Sequence, residues 1–222
     1  MKRVFSTLLA AALLSACGGT PPPADWKMNA VSLLEHAQQR WLEGDSKSAD
    51  LALTKSRNEI AKSGRLDLLA RAELVACAAH IASLDFSICS AYDKLEPDAS
   101  VSDKAYARFL NGNWTDLDAK KLPAQYAGLI TAKNDANANQ AAVEIKEPLP
   151  RLIAAALLFQ SGRATPATLT AAVDTASERG WRRPLLAWLQ IQLKRAQAAR
   201  DTGMASEIQK RIDFVLGTTR IQ

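Results

Sequence analysis

The sequence predicts an all-α protein built from stacked antiparallel helical hairpins. Alanine, which has the highest helix propensity, accounts for 41 of the 222 residues, against 10 glycines and 9 prolines. Apolar residues recur at helical spacing in most segments, with glycine or proline between the segments. No segment alternates apolar and polar residues for long, so no sheet is expected. A hydrophobic fraction of 48% with 23% charged residues excludes a wholly disordered chain.

The N-terminus has a pattern typical of an exported protein. Two basic residues (2–3) precede a short, mostly apolar run (4–16), which is the layout of a secretory signal peptide. This run is shorter than the ~20 apolar residues of a membrane-spanning helix. It leads into Leu14-Ser15-Ala16-Cys17, which resembles the lipobox of bacterial lipoproteins. The resemblance implies a signal peptide over residues 1–16, cleavage before Cys17 and acylation of Cys17.

Residues 17–27 are expected to form a lipidated flexible tether. Glycines and a run of three prolines favour neither helix nor sheet. The residue after Cys17 is Gly18 and not aspartate, which at this position would change the membrane to which a lipoprotein is sorted. By resemblance to enterobacteria-like lipoproteins, Gly18 implies the periplasmic face of the outer membrane. The lipid anchor is therefore the predicted membrane contact. Nucleic acid is not an expected partner, because an exported protein rarely meets it.

The other two cysteines, Cys77 and Cys89, form an even pair in an oxidising compartment. They lie on either side of a turn predicted near residues 83–85. A helix entering this turn and another leaving it would bring the two sulfur atoms close together. We therefore expect a disulfide, with two buried thiols as the alternative. Their spacing is not that of a redox-active C-x-x-C pair.

Helical hairpins are predicted throughout residues 28–222. The N-terminal hairpins (28–97) contain predicted helices at 28–43, 46–62, 66–83 and 86–95. An irregular middle (98–148) contains shorter ones at 102–110, 123–133 and 136–147, and is least regular between 113 and 122. The C-terminal hairpins (149–222) contain helices at 150–160, 166–179, 183–201 and 204–216, each followed by a glycine.

The first predicted hairpin resembles a tetratricopeptide unit. The residues that carry the resemblance are Ala37, Trp41, Gly44, Ala49 and Leu53. Small residues at the helix crossing let two antiparallel helices approach closely. The last predicted hairpin has a similar but less complete spacing of these residues. The resemblance implies a right-handed superhelix whose concave surface takes peptide or protein segments. A compact helical bundle is the alternative.

The C-terminal part of the chain is basic. Nine basic and four acidic residues lie between positions 178 and 222, although the whole chain has a formal charge of only +5. Arg179, Arg182 and Arg183 surround Trp181 at a predicted turn. A tryptophan among arginines is typical of partner-binding surfaces, and the alternative is a core tryptophan with solvated arginines. The stretch 180–189 also resembles one found in other bacterial lipoproteins, which implies no activity.

No sequence motif indicates catalysis, a cofactor or a metal. The chain lacks G-x-S-x-G, the P-loop, G-x-G-x-x-G and H-E-x-x-H, and we interpret His80 as a hydrogen-bonded core residue. We therefore expect no catalytic residues, no cofactor and no metal site. The leading hypothesis is a lipid-anchored adaptor or assembly factor that binds an envelope protein. The alternatives are a binder of anionic envelope polymer or lipid, acting through the basic C-terminal end, and a cell-wall-acting enzyme.

Overall fold

The structure is a computed structural model that describes residues 24–87 and 89–217, and this part of the chain is all-α, as predicted. Its helices are α1 (Asp25–Glu43), α2 (Ser46–Ala61), α3 (Leu66–Ala82), α4 (Ser90–Asp93), α5 (Val101–Leu110), α6 (Ala127–Ile130), α7 (Asp135–Glu144), α8 (Pro148–Gln160), α9 (Pro166–Glu178), α10 (Arg182–Ala198) and α11 (Thr202–Leu216). Short 3-10 turns occupy Glu96–Asp98, Ala119–Lys121 and Ala124–Tyr126.

Several predictions fall on residues outside the described ranges. The signal peptide (1–16), Cys17 and the tether up to residue 23 belong to this group. The last three residues of the predicted tether are helical instead, because α1 begins at Asp25. Among the described helices, none combines the length and apolar character needed to cross a membrane.

The α1–α2 hairpin forms as its sequence predicts. Gly44 ends α1 with a φ of +96°, a conformation that glycine adopts without a steric penalty. The Asp45 carboxylate then accepts the backbone N–H of Ser48 at 3.0 Å and caps α2. Small side chains let the two helices approach, and the buried hydroxyl of Ser56 donates to the carbonyl of Ala30 at 2.8 Å.

Two helices, α3 and α8, form the centre of the molecule. α3 contacts α1, α2, α5 and α8, while α8 also contacts α7 and α9. α10 packs against α9 and α11 and reaches back to α1. Trp188 of α10 is fully buried and donates its indole N–H to the carbonyl of Ala82 at 3.2 Å. In an open solenoid each repeat contacts only its neighbours, so the α1–α10 contact favours the compact bundle.

Two predicted helices are shorter than their sequences suggest. Only Ser90–Asp93 is helical in the predicted 86–95 segment, because the Asp85 carboxylate accepts the backbone N–H of Ser87 at 3.0 Å and holds a turn there. The predicted 123–133 helix is divided into a 3-10 turn and the four-residue α6.

The predicted role of Gly203 as the end of a helix is wrong. α10 already ends at Ala198, and Arg200 adopts a left-handed φ of +57° in the turn. The Asp201 carboxylate then caps α11 by accepting the backbone N–H of Met204 at 2.9 Å. Gly203 therefore lies in the first turn of α11 and not after α10.

An aromatic cluster orders the irregular middle of the chain. The rings of Phe109 and Tyr126 lie 4.5 Å apart, and Trp114 stacks on Phe109 at 5.7 Å. Trp114 also donates its indole N–H to the carbonyl of Phe109 at 2.9 Å. The Tyr106 ring lies 6.1 Å from that of Tyr126. The stretch predicted to be least regular, 113–122, thus packs closely although it forms no α-helix.

The three tyrosines should remain protonated well beyond pH 10 while the protein is folded. Burial raises the pKa of Tyr92 and of Tyr106 to about 12, and it raises the pKa of Tyr126 well above its usual value. Unfolded tyrosines lose their protons near pH 10, so folding stability is complete below that pH and is lost as the pH rises towards 12. We expect tyrosinate absorbance to appear together with the loss of helical circular dichroism. Tyrosinate absorbance near pH 10 in a fully helical protein would contradict this prediction.

Candidate functional site

A surface cleft of about 310 Å³ lies between α2, α3 and the segment that follows α3, and we call it the α2–α3 cleft. Positions 50, 53, 54 and 57 share one face of α2, while 73, 76, 77 and 80 share one face of α3. The cleft is lined by Asp50, Leu53, Thr54, Arg57, Glu73, Ala76, Cys77, His80, Ser87, Cys89, Ser90, Ala91 and Tyr92.

A bidentate ion pair forms the floor of the cleft. Arg57 donates from Nε to Oε1 of Glu73 at 2.6 Å and from Nη2 to Oε2 at 2.7 Å. Glu73 is only 6% exposed, whereas the Arg57 side chain is 39% exposed. The hydrogen bonds to Glu73 raise the pKa of Arg57 above its usual value, so the guanidinium stays charged. A buried carboxylate needs such a partner, since an unpaired charge in the interior is costly.

The predicted disulfide pair forms the edge of the same cleft. The structure joins the sulfur atoms of Cys77 and Cys89 and places the two Cα atoms 5.6 Å apart. Cys77 projects from α3, and Cys89 is the residue before α4. The turn between them contains Leu84 at a φ of +59°, which agrees with the turn predicted near residues 83–85. The segment after α3 is thereby tied to the cleft wall.

Beside the cleft, stacked side chains connect α10 with the α1–α2 hairpin. The Arg183 guanidinium lies 3.8 Å from the ring centroid of Trp41, and the His80 ring stacks on Trp41 at 3.5 Å. Arg183 also donates to the Trp41 carbonyl and to the Ser46 hydroxyl, each at 2.7 Å. His80 Nδ1 lies 2.9 Å from Asp85, so His80 is hydrogen bonded, as predicted, but only half-buried.

The other residues of the predicted partner-binding group differ in exposure. Trp181 is 5% exposed, and its indole N–H donates to Oε1 of Gln39 at 3.2 Å. This burial favours the alternative in which Trp181 belongs to the core. Arg179 is exposed and lies 5.5 Å over the Trp181 ring, and exposed Arg182 donates to the Val215 carbonyl at 3.2 Å. Partner binding by this group stays a prediction.

Replacing Arg183 with Met should lower the free energy of unfolding by about 2 kcal/mol. The substitution removes a cation–π contact and two charge-assisted hydrogen bonds that connect α10 with the α1–α2 hairpin. Arg179→Met is the matched control and should change stability little, because the Arg179 side chain is exposed and forms no hydrogen bond or ion pair within the described residues. Urea denaturation measures both variants. Equal effects of the two substitutions would contradict the structural role of Arg183.

The cleft can accept a positively charged group. Asp50 is exposed and has no hydrogen bond or ion pair within the described residues, while Glu73 is neutralised by Arg57. The buried hydroxyl of Tyr92 also lacks a hydrogen-bond partner there. The ionisable side chains of the lining therefore leave one carboxylate unpaired. No group of three His, Cys, Asp or Glu side chains within residues 24–87 and 89–217 is arranged to hold a metal ion.

Reasoning from the sequence did not single out Asp50, Arg57, Glu73 or Tyr92. The only available signal was Glu73, a charged residue in the middle of the most apolar helix of the N-terminal half. Its partner lies 16 residues earlier on another helix, where no local pattern marks it. No known protein family, curated protein or solved structure matches this chain.

Proposed function

We propose that this protein is a lipid-anchored envelope adaptor, held at the periplasmic face of the outer membrane, that binds a partner protein through the α2–α3 cleft. The lipobox that ends in Cys17 is the observation that carries the anchoring part of the proposal. The charge and shape of the cleft support the binding part.

The short distance between Cys17 and the first helix supports a position close to the membrane. Only residues 18–24 separate Cys17 from α1, which begins at Asp25. A fully extended chain of this length spans at most ~30 Å. Two or more acyl chains give stable anchoring, whereas a single chain binds only marginally. The helical bundle would therefore work within a few nanometres of the bilayer surface.

The chemistry of the cleft supports a partner segment that carries a lysine or an arginine. A volume of about 310 Å³ lies at the lower end of the ~300–1,000 Å³ range of ligand sites. It accommodates one or two side chains and not a folded domain. Asp50 provides an unpaired carboxylate at the cleft, and the Arg57–Glu73 pair holds the floor in place. A basic side chain would complement Asp50.

The anchor is tested by a Cys17→Ser substitution. We expect the parent to incorporate labelled fatty acid and to sediment with outer membranes. The Cys17→Ser variant should lose the label and should not be processed as a lipoprotein. A variant that matures and fractionates like the parent would refute the anchoring part of the proposal.

The cleft is tested by site-specific photo-crosslinking in the native host. A photo-crosslinking amino acid in place of Thr54, which lines the cleft, should capture one defined envelope protein through a segment that contains a basic residue. Asp50→Lys should abolish the capture, because it reverses the unpaired charge. Asp174→Lys is the matched control, because it reverses the charge of an exposed side chain on α9, away from the cleft. It should leave the capture unchanged. Capture that survives Asp50→Lys would refute the cleft as the binding site.

A further inference from the structure

A second recess lies on the opposite side of α3 from the α2–α3 cleft. It has a volume of about 360 Å³ and is bounded by α3, α5 and the chain around the 3-10 turn at Ala119–Lys121. Successive helical residues turn by about 100°, so Arg71, Leu74 and Val75 point away from Glu73 and Cys77. We call this recess the α3–α5 pocket. It shares no lining residue with the α2–α3 cleft.

The floor of the α3–α5 pocket is apolar. Leu74 and Leu122 are buried, and Val75 and Tyr106 are partly buried beside them. Tyr106 carries no charge at physiological pH and does not repel an anion, because an ordinary tyrosine titrates near pH 10 and burial raises the pKa of Tyr106 to about 12. Burying an aliphatic chain on such a surface is favourable because it removes apolar area from water.

The rim of the α3–α5 pocket carries positive charge that is not neutralised. Lys120 and Lys121 line the pocket, and both are exposed. Neither ammonium group forms an ion pair or a side-chain hydrogen bond within the described residues. The pocket's one acid, Asp103, is already engaged: Arg71 donates to it at 3.0 and 3.2 Å, and Ser100 at 2.6 Å. The ionisable groups of the lining thus leave two lysines free.

We propose that the α3–α5 pocket binds an anionic amphiphile, with a carboxylate or phosphate head group between Lys120 and Lys121 and a medium-length aliphatic chain on the apolar floor. The juxtaposition of an apolar recess with two unpaired cations carries the proposal. An uncharged apolar molecule would leave the lysines without a partner, and a hydrated anion would leave the floor exposed to water. Only a molecule with both parts complements both surfaces. This site is independent of the α2–α3 cleft and of the lipid on Cys17.

The test uses the full chain in zwitterionic vesicles and decanoate that carries a photoreactive diazirine. Mass spectrometry of the crosslinked peptides identifies the residues that decanoate labels. This distinguishes decanoate bound in the pocket from decanoate dissolved in the bilayer. We expect saturable labelling of α3, α5 and residues 119–123, with competition by unlabelled decanoate. Competition by decyl phosphate, compared with competition by decanoate, distinguishes the phosphate head group from the carboxylate. The methyl ester of decanoate should compete at least tenfold less well than decanoate.

Charge reversal of the rim provides the matched variants. The double substitution K120E/K121E should reduce labelling of the pocket at least tenfold, and it should keep the fold because both lysines are exposed and unpaired. K133E/K146E introduces the same charge change at exposed lysines that do not line the pocket, and it should label like the parent. Circular dichroism verifies that both variants are folded. Absence of saturable labelling in the parent, or equal labelling of the two folded double variants, would overturn the proposal.

Discussion

Replacing Arg57 with Met should lower the free energy of unfolding by about 3 kcal/mol at neutral pH. The substitution leaves Glu73, which is 6% exposed, as a buried carboxylate without its two charge-assisted hydrogen bonds. Breaking one side of a buried ion pair costs about 3–5 kcal/mol, and the lower end applies here because Arg57 is itself 39% exposed to water. Urea denaturation followed by circular dichroism measures the change.

Removing the carboxylate as well should identify the unpaired charge as the cause. The double variant R57M/E73M replaces both charges with side chains of similar volume and should recover most of the lost stability. Arg65→Met removes an exposed ion pair with Asp67 and should have no measurable effect. A double variant that is as unstable as Arg57→Met would contradict the explanation.

The Arg57–Glu73 pair also affects the proposed function, because it forms the floor of the α2–α3 cleft. Asp50 lines the same cleft, and its charge helps to raise the pKa of Arg57. Loss of Arg57 would leave two unpaired carboxylates in one recess. We therefore infer that the ion pair limits the negative charge of the cleft to the single carboxylate of Asp50.

Local signals predicted most of the fold. Gly44 and Asp45 end one helix and begin the next because their conformational and hydrogen-bonding preferences act within a few residues. Thr165 and Pro166 begin α9 for the same kind of reason. The pairing of Cys77 with Cys89 follows from a turn that lies between them. These features depend on interactions within about a dozen residues, which a sequence pattern contains.

Other features could not be predicted because their causes lie far away in the sequence. Trp41 and Arg183 are 142 residues apart, yet they form the contact that connects α1 with α10. The sequence around Trp181 predicts that Arg183 is a solvent-exposed residue at a turn. The structure shows that Arg183 has hydrogen-bond partners within the chain, whereas Arg179 and Arg182 remain exposed. Partner binding through the basic end would therefore depend on Arg179 and Arg182 more than on Arg183.

Replacing both Cys77 and Cys89 with Ala should lower the free energy of unfolding by about 3 kcal/mol. The two cysteines are 12 residues apart, and cross-linking a loop of this size reduces the conformational entropy of the unfolded chain by about that amount. A reducing agent should destabilise the parent to the same extent and should leave the double variant unchanged. Urea denaturation of both proteins, with and without reductant, measures these differences. Equal sensitivity of the two proteins to reductant would contradict a stabilising Cys77–Cys89 bond.

The disulfide should also control the shape of the α2–α3 cleft, since Cys89 attaches the segment after α3 to the cleft wall. Tyr92 follows three residues later and is buried against the core, so it provides a second attachment. Reduction should therefore accelerate amide hydrogen exchange in residues 85–92 more than in α10, which contains neither cysteine. Crosslinking from position 54 should fall under the same conditions, because one wall of the recess is released. If exchange increased equally throughout the bundle, the disulfide would support global stability without shaping the cleft.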